Sequence, residues 1–412
     1  SSLVSTPPSD WTYLAEGGAS LVCAYRDHQE QYTGKVLRLP KRRRPAQGTD
    51  ALAWQKEVIG RLLPEEVLPQ LELVHLDSGW LRALVEHVEP ARPTFRRADG
   101  IDINASTGIL ATDLIGGETI AVEIKPKWGF LPSPLHLRPS TAAVKTSYCR
   151  YCMHKHLRSL PSPAQPEGAY VPAYCPLDLY SGQEGRVRRA LGRLWGDWKA
   201  TQGGVNNFRV FVRGQRVDPA DVCALLSSLW SCLTRVQPAS LALLAAVLSA
   251  PDAKRALIDR LLPLLLASPI LPTLRELQRT LDPLDIEGLS SLSHSLHPDL
   301  PLGTGQLQPD MREWTEFVDA YLAGRVPECG EERLRYYVLA YTLGATFKDC
   351  SLIVRLPLAR GADTAGETQQ LQGVWVIDTG VKDVGKLAKW EELDREIVAA
   401  FVTSGSGERC VE

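Results

Sequence analysis

Residues 10–27 read DWTYLAEGGASLVCAYRD. Two apolar-rich runs flank EGGAS, whose adjacent Gly17 and Gly18 suit a tight bend between antiparallel strands. TGKVLRLPK (33–41) reads as a third strand, and ALAWQKEVIGRLL (51–63) carries apolar residues at helical spacing. The order strand, glycine turn, strand, basic strand, helix suits a phosphate-covering ribbon, because amides of such a turn can cradle phosphate oxygens. A glycine turn alone joins many hairpins that bind nothing. The order of elements is what favours a nucleotide.

That order is the opening of a kinase-type nucleotide lobe. Outward from it, LELVHL (71–76) and LRALVEHV (81–88) read as strands, and 119–128 as another. In VEIKPKWGF (122–130), Val122 and Ile124 alternate with Glu123 and Lys125, as in a strand with one buried face. Pro126 stops the ladder. One acid and two ammonium groups, Lys125 and Lys127, then crowd a strand end, which is costly unless an anion sits there. A Pro/Ser-rich stretch at 159–168 reads as an exposed loop. From Asp218 to about Ala345 the pattern is helical, including 221–236 and 240–249. SLIVRLPLAR (351–360) and GVWVIDTG (373–380) read as a hairpin joined by a polar loop, and 389–402 as a final helix.

With 412 residues the chain can hold two or three domains. Its formal net charge is −2, so a nucleic-acid-type polycation is excluded and any basic site must be local. No charge-free apolar run reaches 18 residues: 255–274 is interrupted by Asp259, Arg260 and three prolines. The N-terminal SSLVSTPPSDW lacks the pattern of a signal peptide. Nine cysteines, an odd number, fit a reducing compartment, cytosol or nucleus. Cys23, Cys223, Cys232, Cys329 and Cys350 sit singly and read as buried hydrophobes.

Basic residues cluster beside strand ends: KRRRP (41–45), Lys125 with Lys127, Arg209 beside Asn206 and Asn207, and Lys382, Lys386 and Lys389 at helical intervals. In a near-neutral protein such clusters would converge on a ligand bearing many phosphates, though each alone reads as a solvated face. Asp349 precedes one strand and Asp378 ends its partner. Two carboxylates at adjoining strand ends suit phosphoryl transfer, one taking a hydroxyl proton and the other holding magnesium; each alone could be a turn aspartate. Cys149-x2-Cys152-x3-His156, with Cys175 after 18 more residues, has the paired spacing of a structural zinc site; buried thiols or redox chemistry are the alternatives. His154 points elsewhere, into the core or towards the substrate.

Taken in order, VEIKPKWGFLP, CRYCMHKHLR, YCPLDLYSG, NNFRVF, LDIEGL, KDCSLIV and DTGVK resemble the inositol-pentakisphosphate 2-kinase family over roughly residues 11–400. The resemblance implies an α+β, two-lobed kinase-like fold. Residues 1–118 would form a mixed α/β nucleotide lobe. Residues 119–412 would form a larger lobe with an inositol-phosphate-binding part and a helical insertion at 218–345. It implies transfer of the ATP γ-phosphoryl group to the 2-hydroxyl of inositol 1,3,4,5,6-pentakisphosphate, giving phytic acid, with Mg2+, structural Zn2+ and a monomeric state.

Carried over by position, Gly17, Gly18, Ala19, Ser20 and Val22 resemble the ATP-covering loop, and Arg38 an ATP-phosphate ligand. Asn104 matches the adenine hinge, and Glu123 falls on the nucleotide side. Arg43, Arg92, Lys125, Lys127, Arg158, Asn206, Asn207, Arg209, Lys382, Lys386 and Trp390 match substrate ligands. Asp349 matches the base, with Lys125 beside it, and Asp378 the magnesium ligand. Three departures stand out: Trp128 where cysteine is common, Gly380 in place of a second acid, and Arg158 in place of lysine. The Cys/His set resembles the animal branch. A non-catalytic inositol-phosphate or phosphoinositide sensor would keep the basic pocket but has no use for both acids. A zinc-containing nucleic-acid binder would need an extended basic face.

Overall fold

The computed structural model describes residues 3, 6–18, 20–42, 50–161, 170–219, 253–358, 372–405 and 407–412. Ala19, Arg43, Cys223, Cys232, the helical stretches 221–236 and 240–249, and most of the expected loops at 159–168 and 361–372 lie outside them.

Two antiparallel sheets organise the chain, an α+β architecture. The first is built from β1 (Trp11–Glu16), β2 (Ser20–Tyr25), β3 (Lys35–Pro40), β4 (Leu71–His75) and β5 (Thr107–Thr112), in the order β1-β2-β3-β5-β4. Alternation in β2 and β3 sends Leu21, Cys23, Leu37 and Leu39 into a core closed by Trp11 and Trp80. Residues 81–88, expected as a strand, belong instead to a helix, α2 (Ser78–Val88). Its Trp80, Leu81, Leu84 and Val88 are buried at a 3.6-residue period, and the Asp77 carboxylate caps its first amides. The partner that β3 and β4 share is β5, which the sequence reading did not anticipate.

The second sheet contains β6 (Thr119–Ile124), β7 (Phe208–Val212), β8 (Gln215–Val217), β9 (Ser351–Pro357) and β10 (Gly373–Ile377), ordered β10-β9-β6-β7-β8. The expected hairpin of β9 and β10 is present. Strand β6 is central, and all six of its residues are buried. The expected single buried face was therefore wrong: Glu123 is enclosed rather than solvated. It pairs with Arg209 on the neighbouring strand β7.

The helices in chain order are α1 (Ala51–Glu57), α2, α3 (Pro139–Lys145), α4 (Arg150–Ser159), α5 (Pro176–Leu179), α6 (Glu184–Ala200), α7 (Ala253–Ala267), α8 (Ile270–Thr280), α9 (Asp285–Leu296), α10 (Met311–Leu322), α11 (Gly330–Asp349) and α12 (Leu387–Ser404). Helix α1 covers the first half of the expected 51–63 helix, and a short turn, Ile59–Arg61, follows it. Trp54, Val58, Ile59, Leu63, Val67 and Leu68 share their core with the second sheet and its helices, not with the first sheet. Among the described residues no single helix is long and apolar enough to cross a membrane.

A buried charge network ties the helices together. The Lys145 ammonium of α3 lies 2.5 Å from Asp285, 2.9 Å from Asp394 and 3.4 Å from Glu287, joining α3, α9 and α12. Breaking a buried pair by removing one partner typically costs about 3–5 kcal/mol, because the remaining charges stay desolvated. Lys145→Met should lower the unfolding free energy by an amount of that order, read from the urea midpoint.

Candidate functional site

Antiparallel pairing brings four strand ends to one edge of the second sheet. The C-terminal ends of β6 and β10 meet the N-terminal ends of β7 and β9 there. Lys125, Asp378, Asn206–Asn207 and Asp349 are thereby neighbours, although they span 253 positions of sequence. The pairing is tight: the Lys125 ammonium is 3.1 Å from Asp378, and the Lys127 ammonium 3.1 Å from Asp349, which also takes Lys382 at 2.9 Å. Asp349 is the last residue of α11, where the helix dipole disfavours a carboxylate. Burial would also raise its pKa, but Lys127, then Lys382 and Lys125, outweigh both and hold it at about 2. Burial pushes the Lys127 ammonium downwards against the pull of Asp349, whereas at Lys125 burial is overcome by Asp378 and Asp349.

Beneath this edge, Glu123 accepts from Arg209 at 3.1 Å and from the Ser351 hydroxyl at 2.9 Å. The same hydroxyl lies 3.2 Å from Asp378. Buried Asn207 brackets Lys125: its carbonyl accepts from the Lys125 amide at 3.0 Å and its side-chain amide donates back at 3.3 Å. Asn206 is exposed beside it. Asp378 sits at φ 62°, a left-handed conformation that turns the chain out of β10. The following carbonyls are held by the Trp54 indole at 2.7 Å (Thr379) and the Thr346 hydroxyl at 3.2 Å (Gly380).

Helix α4 adds a basic wall. The half-buried His154 imidazole is pushed down to about 4, by burial first and then by the charges of Arg150, Arg158 and Lys127. Arg158, exposed on α4, thus shares a field with Lys127. Lys386 is exposed just before α12, and Trp390 packs against Tyr341 at 6.1 Å.

On the first sheet, Val22 of β2 is opposite Arg38 of β3, and Arg38 lies in the field of Asp378. The Gly17 amide donates to the Ser20 carbonyl at 2.9 Å, closing the turn. Asn104 is exposed ahead of β5, its amide bonded to Asp102 at 3.1 Å.

Arg92 is paired elsewhere than at this sheet edge. It is 3% exposed, and its guanidinium is spent on Glu16, Glu89 and the carbonyls of Arg96 and Asp99. With Lys41, 2.5 Å from Glu16, it anchors the end of β1 at the glycine turn. The expectation for Arg92 is a substrate ligand; its bonds give it this anchoring role in the frame around β1. Glu16, the first residue of EGGAS, was the missed signal.

Three of the four expected zinc ligands come together. Cys149, Cys152 and Cys175 lie with Cys410 so that all four sulfurs are within 4.8 Å of one another. His156 is turned away, its Nε2 3.1 Å from the Ser404 hydroxyl and its ring edge-on to Phe401. The local spacing favoured His156, but its ring packs against α12 through Phe401 and Ser404, and Cys410 joins the other three sulfurs. Four thiols suit a tetrahedral ion: Zn–S bonds of about 2.3 Å set sulfurs about 3.8 Å apart. The Cys149–Cys175 and Cys175–Cys410 separations are 4.0 and 3.8 Å.

The pattern that defines inositol-pentakisphosphate 2-kinases matches residues 13–396. An inositol-pentakisphosphate 2-kinase of Cryptococcus neoformans var. neoformans serotype D is 34% identical over 95% of this chain and 93% of its own length. One from Arabidopsis thaliana is 27% identical over 98% and 96%, and one from Danio rerio 30% identical over 51% and 44%.

The folded-state pKa of Asp349, below the unfolded value of about 3.9, sets the sign of a pH effect. Its ion pairs contribute stability above pH 4, and that contribution is lost as pH falls towards 2. Wild-type stability should therefore drop more steeply between pH 4 and 2 than that of Asp349→Asn, in urea titrations across that range.

Proposed function

The chain belongs to the inositol-pentakisphosphate 2-kinase family, and on that premise we propose how its own residues move the ATP γ-phosphoryl group to the 2-hydroxyl of inositol 1,3,4,5,6-pentakisphosphate. One observation carries the reading: two acids and three lysines interleave as ion pairs at a single sheet edge. A polyanion is the ligand that such a set can accept by exchange. Phosphates take Lys127 and Lys382, and Asp349 is released.

Release matters for the chemistry. A carboxylate held at about 2 is a poor base. Once its lysine partners turn to phosphates, its pKa rises towards the ordinary range and it can accept the proton of the attacking hydroxyl. Lys125, bracketed by Asn207 and paired with Asp378, would face the oxygens of the transferring group. Arg209, Asn206, Arg158 and Lys386 would bind the remaining phosphates, and Trp390 would border them. Arg38 and the 17–20 turn would face the nucleotide phosphates, which makes the first sheet the nucleotide side of a two-lobed, kinase-like arrangement. Asp378 fits a magnesium ligand: Mg2+ is usually bound through one or two carboxylates plus substrate phosphates, so Gly380 in place of a second acid is no obstacle. When bound, the ion neutralises charge on the transferring phosphoryl group. A non-catalytic sensor would need the lysines but neither acid, and both are present.

We also propose a structural zinc held by Cys149, Cys152, Cys175 and Cys410. All four positions would be filled by thiolates, which leaves no place for substrate or water.

A positioned base typically contributes about 10²–10⁴-fold. Asp349→Asn should lose turnover by that order while retaining inositol-pentakisphosphate affinity in calorimetry; more than half the wild-type turnover would remove Asp349 from the mechanism. Metal analysis should find about one zinc per chain, lost in Cys410→Ser and kept in His156→Ala. Chelation should lower the melting temperature, and a zinc-free protein of full stability would refute the site.

A further inference from the structure

Among the groups that the proposed mechanism leaves unused is the side chain of Gln278, which has four hydrogen-bond partners. It lies on α8, within the helical region that sequence alone treats as an insertion, and it is 0% exposed. Its Oε1 accepts from the Gly129 amide at 2.8 Å. Its Nε2 reaches the Lys127 carbonyl at 3.0 Å, the Phe347 carbonyl at 2.9 Å and the Tyr180 hydroxyl at 3.1 Å. One amide thus joins the turn that carries Lys127 to the last turn of α11, which carries Asp349.

We propose that Gln278 is a positioning residue for phosphoryl transfer: it sets the Lys127 turn against the Asp349 end of α11, and so fixes where acceptor phosphates and hydroxyl sit relative to the base.

Two features say that this turn needs an external clamp. Lys127 has φ 64°, a left-handed conformation that a lysine adopts only when its surroundings impose it. Gly129 faces the Tyr180 ring so closely that a Cβ there would sit 2.7 Å from it, so the chain passes a wall that admits no side chain. Tyr180 in turn donates to the Lys127 carbonyl at 3.3 Å. The backbone of the turn is therefore bonded to α8 and to Tyr180 just after α5, while the Lys127 ammonium reaches on to Asp349. A residue this buried exchanges its hydrogen bonds for nothing when mutated, so its loss is felt at both ends of the bridge. Displacement of about 1 Å at a reacting centre can cost about 10²-fold.

The inference rests on the assignment of Lys127 and Asp349 above, and the test separates the two. Steady-state kinetics would be measured on the full chain with ATP and inositol pentakisphosphate for Gln278→Met, Gln278→Glu and Asp349→Asn, each expressed per folded molecule. Gln278→Met should raise KM for the inositol phosphate and lower kcat, each by about tenfold or more, with KM for ATP unchanged. Gln278→Glu keeps the volume and the acceptor for Gly129. Its rate relative to wild type should recover as pH falls, because the protonated carboxyl regains one donor for the Lys127 carbonyl. A purely structural role would lower the melting temperature and the folded fraction but leave both KM values alone. Normal inositol-phosphate KM and kcat in the variants that fold, with Asp349→Asn inactive, overturns the positioning role alone. Full activity of Asp349→Asn overturns the assignment beneath it.

Discussion

Lys127 stands at a left-handed backbone position with its ammonium 3.1 Å from the Asp349 carboxylate, and much of the second sheet's surroundings keeps it there. Tyr174 donates to the Pro126 carbonyl, Gln278 and Tyr180 to that of Lys127, and the Leu131 amide is taken by Glu412. Trp128 is stacked beside Phe130 with the Lys348 ammonium 4.0 Å from its ring centre and Arg150 on it as well. Lys348 is itself buried, 2.6 Å from Asp282. The residue before Asp349 and the residue after Lys127 thus meet in one cation–π contact. Helix α11 and the 125–131 turn are locked together from several sides, which is what a pair of groups in mutual register requires.

The same constraint explains how a chain of net charge −2 handles a polyanion. Unpaired, three lysines within a few ångströms would repel one another across a partly desolvated edge. Asp349 and Asp378 neutralise them in the free protein, and the phosphates of the ligand can do so in their place. In the proposed reading binding is an exchange of partners, and the carboxylates that now pair with the lysines would serve the reaction once released. Arg92 and Lys41 illustrate the other outcome: enclosed with Glu16, they have become part of the frame.

The cysteine cluster acts on a different part of the frame. Cys149 and Cys152 begin α4, Cys175 precedes α5, and Cys410 follows α12. An ion there would tie α12 to the wall that carries Arg158 and His154. The segment from Cys410 to Glu412 already touches that region through backbone and side-chain bonds, the Cys410 amide to Ser147 and Glu412 to Leu131 and Arg275.

By itself the sequence determined the family, the glycine-turn ribbon, the β9–β10 hairpin and the cast of charged residues, because each is written in short-range spacing. It misjudged residues 81–88, where two apolar residues per turn read as alternation until Asp77 is seen to cap a helix. It could not place β6 at the centre of a sheet, because strand order is set by pairing across more than 200 positions. Nor could it bring Cys410 rather than His156 to the other three cysteines, or see that Arg92 is buried against Glu16, or single out Gln278 within an amphipathic helix. Those choices depend on which groups are buried next to which, and burial is a property of the packed chain: only there does an unpaired donor or charge carry a penalty large enough to decide.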